Sequence, residues 1–277
     1  MSLISKIRHA LYPIQGEVWC LHRVVEERSR YFGNRQLEIT PAYLEALILE
    51  YKNKGFEFVG LDEIVEDSQR RFWSLKRKKR VNVSFDDGFR DVYDKAFPIL
   101  KKHHIPFTVY LVGNFPDGNS DLWWIQMERY YEDPSVFEQM LKKIYQAESN
   151  MRDQMHAMTK SEVDATLCKQ LALTWEQLGE MVESGLCTVG SHSMTHPGLT
   201  RVSLTEVKWE LSESKRVIEA HLPVTVKHLS YPHSMTSPQI QQLVKSAGYM
   251  SATLGYGGGI RVKDNPYQLY RHYIVQP

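Results

Sequence analysis

Two short segments carry residues whose types and spacing could do chemistry. Ser84-Phe85-Asp86-Asp87-Gly88 places two adjacent carboxylates at the end of an apolar run. Like charges side by side oppose each other's ionisation, and a bound cation is one device that relieves this. A solvated Asp-Asp-Gly turn is the other reading. Gly190-Ser191-His192-Ser193-Met194-Thr195-His196-Pro197 places two histidines four apart. If this segment is helical, both rings lie on one face, and neutral imidazoles so placed suit zinc or a similar divalent ion. The chain has eleven histidines, so an unrelated surface pair is the alternative. Jointly the motifs say more. One Asp and two His make a three-ligand site with open positions, the arrangement of a catalytic metal. The other Asp is then free to act as a base on water.

The elements that must position these residues alternate along the chain. Strands are predicted over Val18–Leu21 (ending in His22), Phe56–Val59, Val81–Phe85, Pro106–Val112, Cys187–Gly190, Lys227–Tyr231, Tyr249–Leu254 and Leu269–Val275. Helix starts are signalled by Thr40-Pro41 and Ser237-Pro238, and by capping boxes at Thr174–Gln177 and Ser203–Glu206. Gly55, Gly185 and Gly248 are the corresponding stops. A further helix is predicted over Val92–His103. Residues 117–172, rich in Met, Gln, Glu and Lys, are predicted to be a helical insertion packing through Trp123, Trp124, Met127, Tyr130 and Tyr131. Trp123 and Trp124 could stack on a sugar, though core packing is the commoner use. Strand–helix alternation implies a parallel sheet covered by helices. The phosphate-cradling glycine motifs of nucleotide-binding folds are absent. A (β/α) barrel with fewer than eight strands is the expected α/β architecture. Both motifs would then lie at the C-terminal ends of its strands, where such barrels do chemistry.

Composition narrows the function class. The 277 residues are 42% hydrophobic with a net charge of +1, which fits a globular protein and gives no reason to expect nucleic acid. Cys20, Cys168 and Cys187 are scattered, odd in number and form no C-x-x-C pair, which argues against a disulfide framework. No segment reaches the ~18 apolar residues of a membrane span, and the N-terminus lacks a signal-peptide core. The expected location is therefore cytoplasmic. Leu3, Ile4, Ile7, Ala10 and Leu11 recur at helical spacing, and pack on the domain or touch a membrane. The basic run Arg70–Arg71 and Lys76–Arg80 reads as a solvated loop, with peripheral contact to anionic lipid, or to a pyrophosphate-linked substrate, as the alternative.

The two motifs together resemble the polysaccharide deacetylase family, also called the NodB homology domain or carbohydrate esterase family 4. Ser84–Gly88 is similar to its T/S-F-D-D-G motif and His192–His196 to its H-x-x-x-H motif, and Leu173–Gly185 is similar to the lead-in of the second. The likeness runs from about Val18 to Val275, outside the insertion. It implies a single catalytic domain over 1–277, a distorted seven-stranded (β/α) barrel with the insertion at about 117–172. It also implies a hydrolase that removes N-acetyl groups from an amino sugar in a surface polysaccharide or its precursor. Asp86 would be the base. Asp87, His192 and His196 would hold a divalent ion, zinc foremost, with cobalt, nickel or iron as substitutes. The family's R-x-P-Y motif falls at Ser230-Tyr231-Pro232-His233. The backbone N–H of His233 would still serve the oxyanion, but the arginine that orients the base is missing. Arg271 on the last strand is the candidate replacement; an ordinary surface or salt-bridged arginine is the alternative. Leu21-His22-Arg23-Val24 resembles the Y-H-x-V strand of circularly permuted members, including poly-N-acetylglucosamine deacetylases. This favours His22 over His272, in Leu269-Tyr270-Arg271-His272, as the general acid; a buried structural histidine is the bland reading of His22. An amidohydrolase acting on a non-sugar amide and an inactive glycan-binding module are the competing functions.

Overall fold

A computed structural model describes residues 14–69, 79–120, 122–160 and 165–277. The apolar stripe at residues 3–11 lies outside these, as does the basic run from Arg70 to Lys78. Of that run, Lys79 and Arg80 are described. Lys79 lies over the Phe56 ring, and Arg80 pairs with Asp67 at 2.9 Å. Among the described residues no helix is long and apolar enough to cross a membrane.

Seven parallel strands close into a barrel: β1 (Ile14–Leu21), β2 (Arg80–Phe85), β3 (Phe107–Leu111), β4 (Cys187–Ser191), β5 (His228–Ser230), β6 (Ser251–Gly257) and β7 (Leu269–Tyr273). Neighbours follow chain order from β2 to β7, and β1 completes the ring by pairing with both β7 and β2. Val81, Val83, Val109 and Leu229 are fully buried, as expected of strands covered on both faces. Short strands Glu57–Phe58 and Ile260–Arg261 flank β2 and β1.

Register carries the site. β1 pairs with β2 through Leu21 opposite Phe85, and the Asp86 backbone N–H donates to the Leu21 carbonyl at 2.8 Å. His22 and Asp86 are thus the first residues past one shared ladder.

The predicted helix starts hold. Thr40 accepts from the Tyr43 N–H and opens Pro41–Asn53. Thr174 and Gln177 form a reciprocal capping box before Trp175–Glu183. Ser203 caps Leu204–His221 through the Glu206 N–H. The single helix expected over Val92–His103 is a π-turn at Val92–Ala96 followed by Phe97–Lys102. Pro98 lacks the N–H that would close the regular ladder there.

The insertion is helical, with segments Trp123–Gln126, Pro134–Gln146, Met151–Thr159 and Ala165–Leu171. Its apolar residues do not join the barrel core. Trp123, Trp124, Met127, Phe137, Ile144 and Met151 form a separate cluster with Tyr31, Phe89, Val112 and Phe115. That cluster sits over the ends of β2 and β3, through Phe89 and Val112.

Candidate metal centre and catalytic cleft

Asp86 and Asp87 leave β2 in a turn that few sequences can make. Asp87 has φ of 74° and Gly88 φ of 96°. A side chain at 88 would meet Leu111 Cδ1 at 2.5 Å, so glycine is required there. Left-handed backbone recurs at Ser193, His196, His233 and Ser234. Such strain persists where surrounding contacts over-determine it, typically at functional sites.

Asp87, His192 and His196 converge. His192 Nε2 and His196 Nε2 lie 3.2 Å apart, and each is 3.4 and 3.3 Å, respectively, from Asp87 Oδ1. Three ligands at ~2.0–2.1 Å from a tetrahedral ion are about 3.3–3.4 Å from one another, so the triangle already has the size of a metal site. His192 Nδ1 lies 2.8 Å from the Ser230 carbonyl, which can only accept. Nδ1 is therefore the donor, and in the neutral ring the Nε2 lone pair faces Asp87 Oδ1. Two acceptors so opposed need a positive charge between them. Burial disfavours the charged form of His192, but the Asp86 and Asp87 charges outweigh it and its pKa is raised. In His196 burial prevails and the pKa is lowered. The residues present fit a divalent ion.

The two histidines do not share a helix face. Residues 192–198 form an irregular loop, so the helical i, i+4 pair expected from the spacing does not form. Glu210, buried in the helix Leu204–His221, accepts from the Met194 N–H at 2.7 Å and the Thr195 N–H at 2.9 Å. Ser193 Oγ accepts from the His196 N–H at 3.0 Å. These contacts fold the loop back on itself. Glu210→Ala should therefore weaken metal binding by roughly 10–100-fold, the usual penalty for losing a partner that orients ligands. Equilibrium dialysis against zinc would read it.

Asp86 is held from β7. Arg271 is fully buried and donates to Asp86 Oδ1 at 2.7 Å and Oδ2 at 2.6 Å. Its remaining donors reach Ser84 Oγ, Ser230 Oγ and the Leu254 carbonyl at 3.0, 2.8 and 3.0 Å. Five bonds match the five N–H groups of a guanidinium. Burial alone would push the Asp86 carboxyl up, but the Arg271 charge, aided by His192, holds it at about 2. Ser230 Oγ adds a bond to Oδ2 at 3.1 Å.

These groups line a cleft of about 450 Å³. One wall belongs to the barrel: His22, Tyr256 and Tyr273. The other comes from the insertion: Trp124, Leu141 and Tyr145. Trp124 is almost wholly buried, yet it also packs against His196, with ring centroids 4.9 Å apart. Tyr145 Oη lies 3.2 Å from His233 Nδ1. Burial, and then the His196 charge, hold the His233 pKa well below the ordinary histidine range. Among the described residues the His233 backbone N–H has no acceptor. His22 is half-buried in the wall. Its pKa is lowered by burial against the opposing pull of Asp87 and Asp86. The segment after His22 is clamped by Asp91, which accepts from the Val24 N–H and from Arg23 Nε, both at 2.9 Å. His272 is not in the cleft. Strand alternation turns it outward from Arg271, half-exposed and 3.9 Å from Glu17.

The sequence profile described as polysaccharide deacetylase matches residues 75–252. The chain belongs to the polysaccharide deacetylase family. It is 31% identical over 85 residues to the poly-beta-1,6-N-acetyl-D-glucosamine N-deacetylase of Staphylococcus epidermidis, covering 30% of this chain and 28% of that one. The chain spans 51% and 28% of the lengths of the two curated relatives it matches. Among solved structures it resembles IcaB from Ammonifex degensii, with a TM-score of 0.66, 22% identity, and 95% and 93% of the two chains covered. It also resembles the Streptococcus pyogenes deacetylase PplD in complex with acetate, with a TM-score of 0.70, 18% identity and the same coverages. These structural likenesses carry the fold.

Against the deacetylase pattern, the missing arginine of the third motif has a physical counterpart. Ser230 takes its position, and the guanidinium reaches Asp86 from β7 across the Ser230 hydroxyl. Glu210, Asp91 and Tyr145 went unnoticed in the sequence. Only Glu210 left a signal, as a carboxylate on the buried face of an amphipathic helix.

Proposed function

We propose that this chain is a metal-dependent carbohydrate deacetylase that hydrolyses the acetamide of an amino sugar in a surface polysaccharide or its precursor, releasing acetate. The observation that carries this reading is the pairing of an arginine-fixed Asp86 with the Asp87–His192–His196 triangle at the floor of one cleft. A divalent ion held by the triangle would acidify water and polarise a carbonyl. The residues supply the rest. Asp86 is ionised throughout the working range, and its Oδ2 lies 4.0 Å from His192 Nε2. It therefore faces the triangle, placed to take the proton of the attacking water. The His233 backbone N–H is free to donate to the developing oxyanion. His22, on the opposite wall, hands a proton to the departing amine. The aromatic walls exclude bulk water.

The direct test is acetate release from N-acetylglucosamine oligomers and nucleotide-linked N-acetyl sugars. It would be run on metal-free protein and after addition of zinc, cobalt or nickel. Metal-dependent release supports the reading; bound metal with release from non-sugar amides alone would replace it with an amidohydrolase. His22→Ala should lower turnover by roughly 10²–10⁴-fold, whereas His272→Ala should leave it within about twofold. Equal effects from the two variants would remove His22 from the mechanism.

A further inference from the structure

The cleft holds a second set of metal-competent side chains. Cys20, His22 and Asp86 each offer one ligand atom, and these lie within 4.8 Å of one another. All three line the cleft. Cys20 Sγ stands 3.7 Å from Asp86 Oδ2. A thiolate at ~2.3 Å and a carboxylate oxygen at ~2.1 Å from one tetrahedral ion are about 3.6 Å apart, so two of the three donors already have chelating separation. Among the described residues, His22 makes no side-chain hydrogen bond that binding would have to break.

We propose that Cys20, His22 and Asp86 form a second cation site, which takes a thiophilic divalent ion such as excess zinc or cadmium and thereby closes the cleft to substrate. Sulfur selects for soft ions over magnesium or calcium. Binding replaces the S–H bond by an S–metal bond, with the proton released to solvent and no change of oxidation state. Two features make this the weaker of the two sites. Arg271 already compensates the Asp86 charge, and its own charge opposes an incoming cation. Among the described residues the Asp87–His192–His196 triangle has no such opponent in contact. The inhibitory consequence rests on the proposed deacetylase reading, because an ion here would occupy both proton-handling groups and the space between them. The binding itself does not.

The test titrates metal-free protein with cadmium, following stoichiometry by equilibrium dialysis and thiolate coordination by its ultraviolet charge-transfer band. Wild type should bind two ions per chain, the second at least tenfold more weakly and with the band. Cys20→Ala and Cys20→Ser should each bind one ion without the band. Asp87→Asn should retain the band while losing the tighter ion. One ion in wild type, a band that survives both Cys20 variants, or a band lost in Asp87→Asn would each overturn the site. In the activity arm, the inhibition constant for excess zinc should rise at least tenfold in Cys20→Ala, judged against that variant's own uninhibited rate; an unchanged constant overturns the inhibitory role. If no acetate is released by any form, the deacetylase reading fails, and the cadmium stoichiometry still decides the site.

Discussion

Asp86→Asn should reduce kcat/KM toward background, by roughly 10²–10⁴-fold, while leaving the ion of the Asp87–His192–His196 triangle in place. The amide matches the carboxylate in shape but cannot accept the water's proton. Asp87, His192 and His196, which form the triangle, are untouched, so retained zinc would separate a chemical defect from loss of the ion. The same change strands Arg271, a cation with no exposure to solvent. Removing one partner of a buried pair costs about 3–5 kcal/mol, so the variant should also melt earlier. If Asp86→Asn keeps its turnover, another group is the base.

Arg271→Met is the second large effect, and it separates stability from chemistry. Loss of the guanidinium leaves a buried carboxylate uncompensated, again at about 3–5 kcal/mol. Asp86→Leu combined with Arg271→Met should recover much of that stability, since an apolar pair of similar volume removes both desolvation costs, yet restore no activity. The pH dependence follows from the sign of the shift. The folded Asp86 pKa, about 2, lies below its ordinary 3.8. The stability from this ion pair is thus complete above about pH 4 and lost as pH falls through 2. In Arg271→Met burial acts without that opposing charge, so the carboxyl rises. The acidic limb of the pH–rate profile should move toward neutrality, and a profile identical to wild type would refute the holding role.

Much of this site was legible in the sequence because its elements are local. Asp86 and Asp87 follow an apolar strand, His192 follows another, and strand ends on one barrel face meet whatever the loops do. Thr174 and Gln177 announced their helix through a bond pattern contained within four residues. What escaped depends on contacts distant in sequence. Glu210 holds a loop 15 residues away. Tyr145 reaches His233 across 88 residues. The four-residue spacing of His192 and His196 suggested a helix because spacing encodes no backbone sign, and the left-handed turns at Ser193 and His196 are imposed by tertiary bonds. Arg271 was visible as a candidate, but the exchange of an arginine for a serine on one strand and its recovery on another is a three-dimensional compensation.

The separate apolar cluster beneath the insertion has a consequence for how the shape of the cleft can vary. The wall bearing Trp124, Leu141 and Tyr145 rests on its own apolar cluster, whereas Asp86 and the Asp87–His192–His196 triangle follow the barrel strands. The cleft is therefore a seam between two apolar clusters, bridged where Trp124 packs on His196 and Tyr145 meets His233. Substitutions within the insertion, at Phe137 or Ile144 for instance, act first on the width of that seam and reach His196 and His233 only through Trp124 and Tyr145. The shape of the cleft can thus vary from one cluster while the strand ends that hold Asp86 and Asp87 stay set by the other.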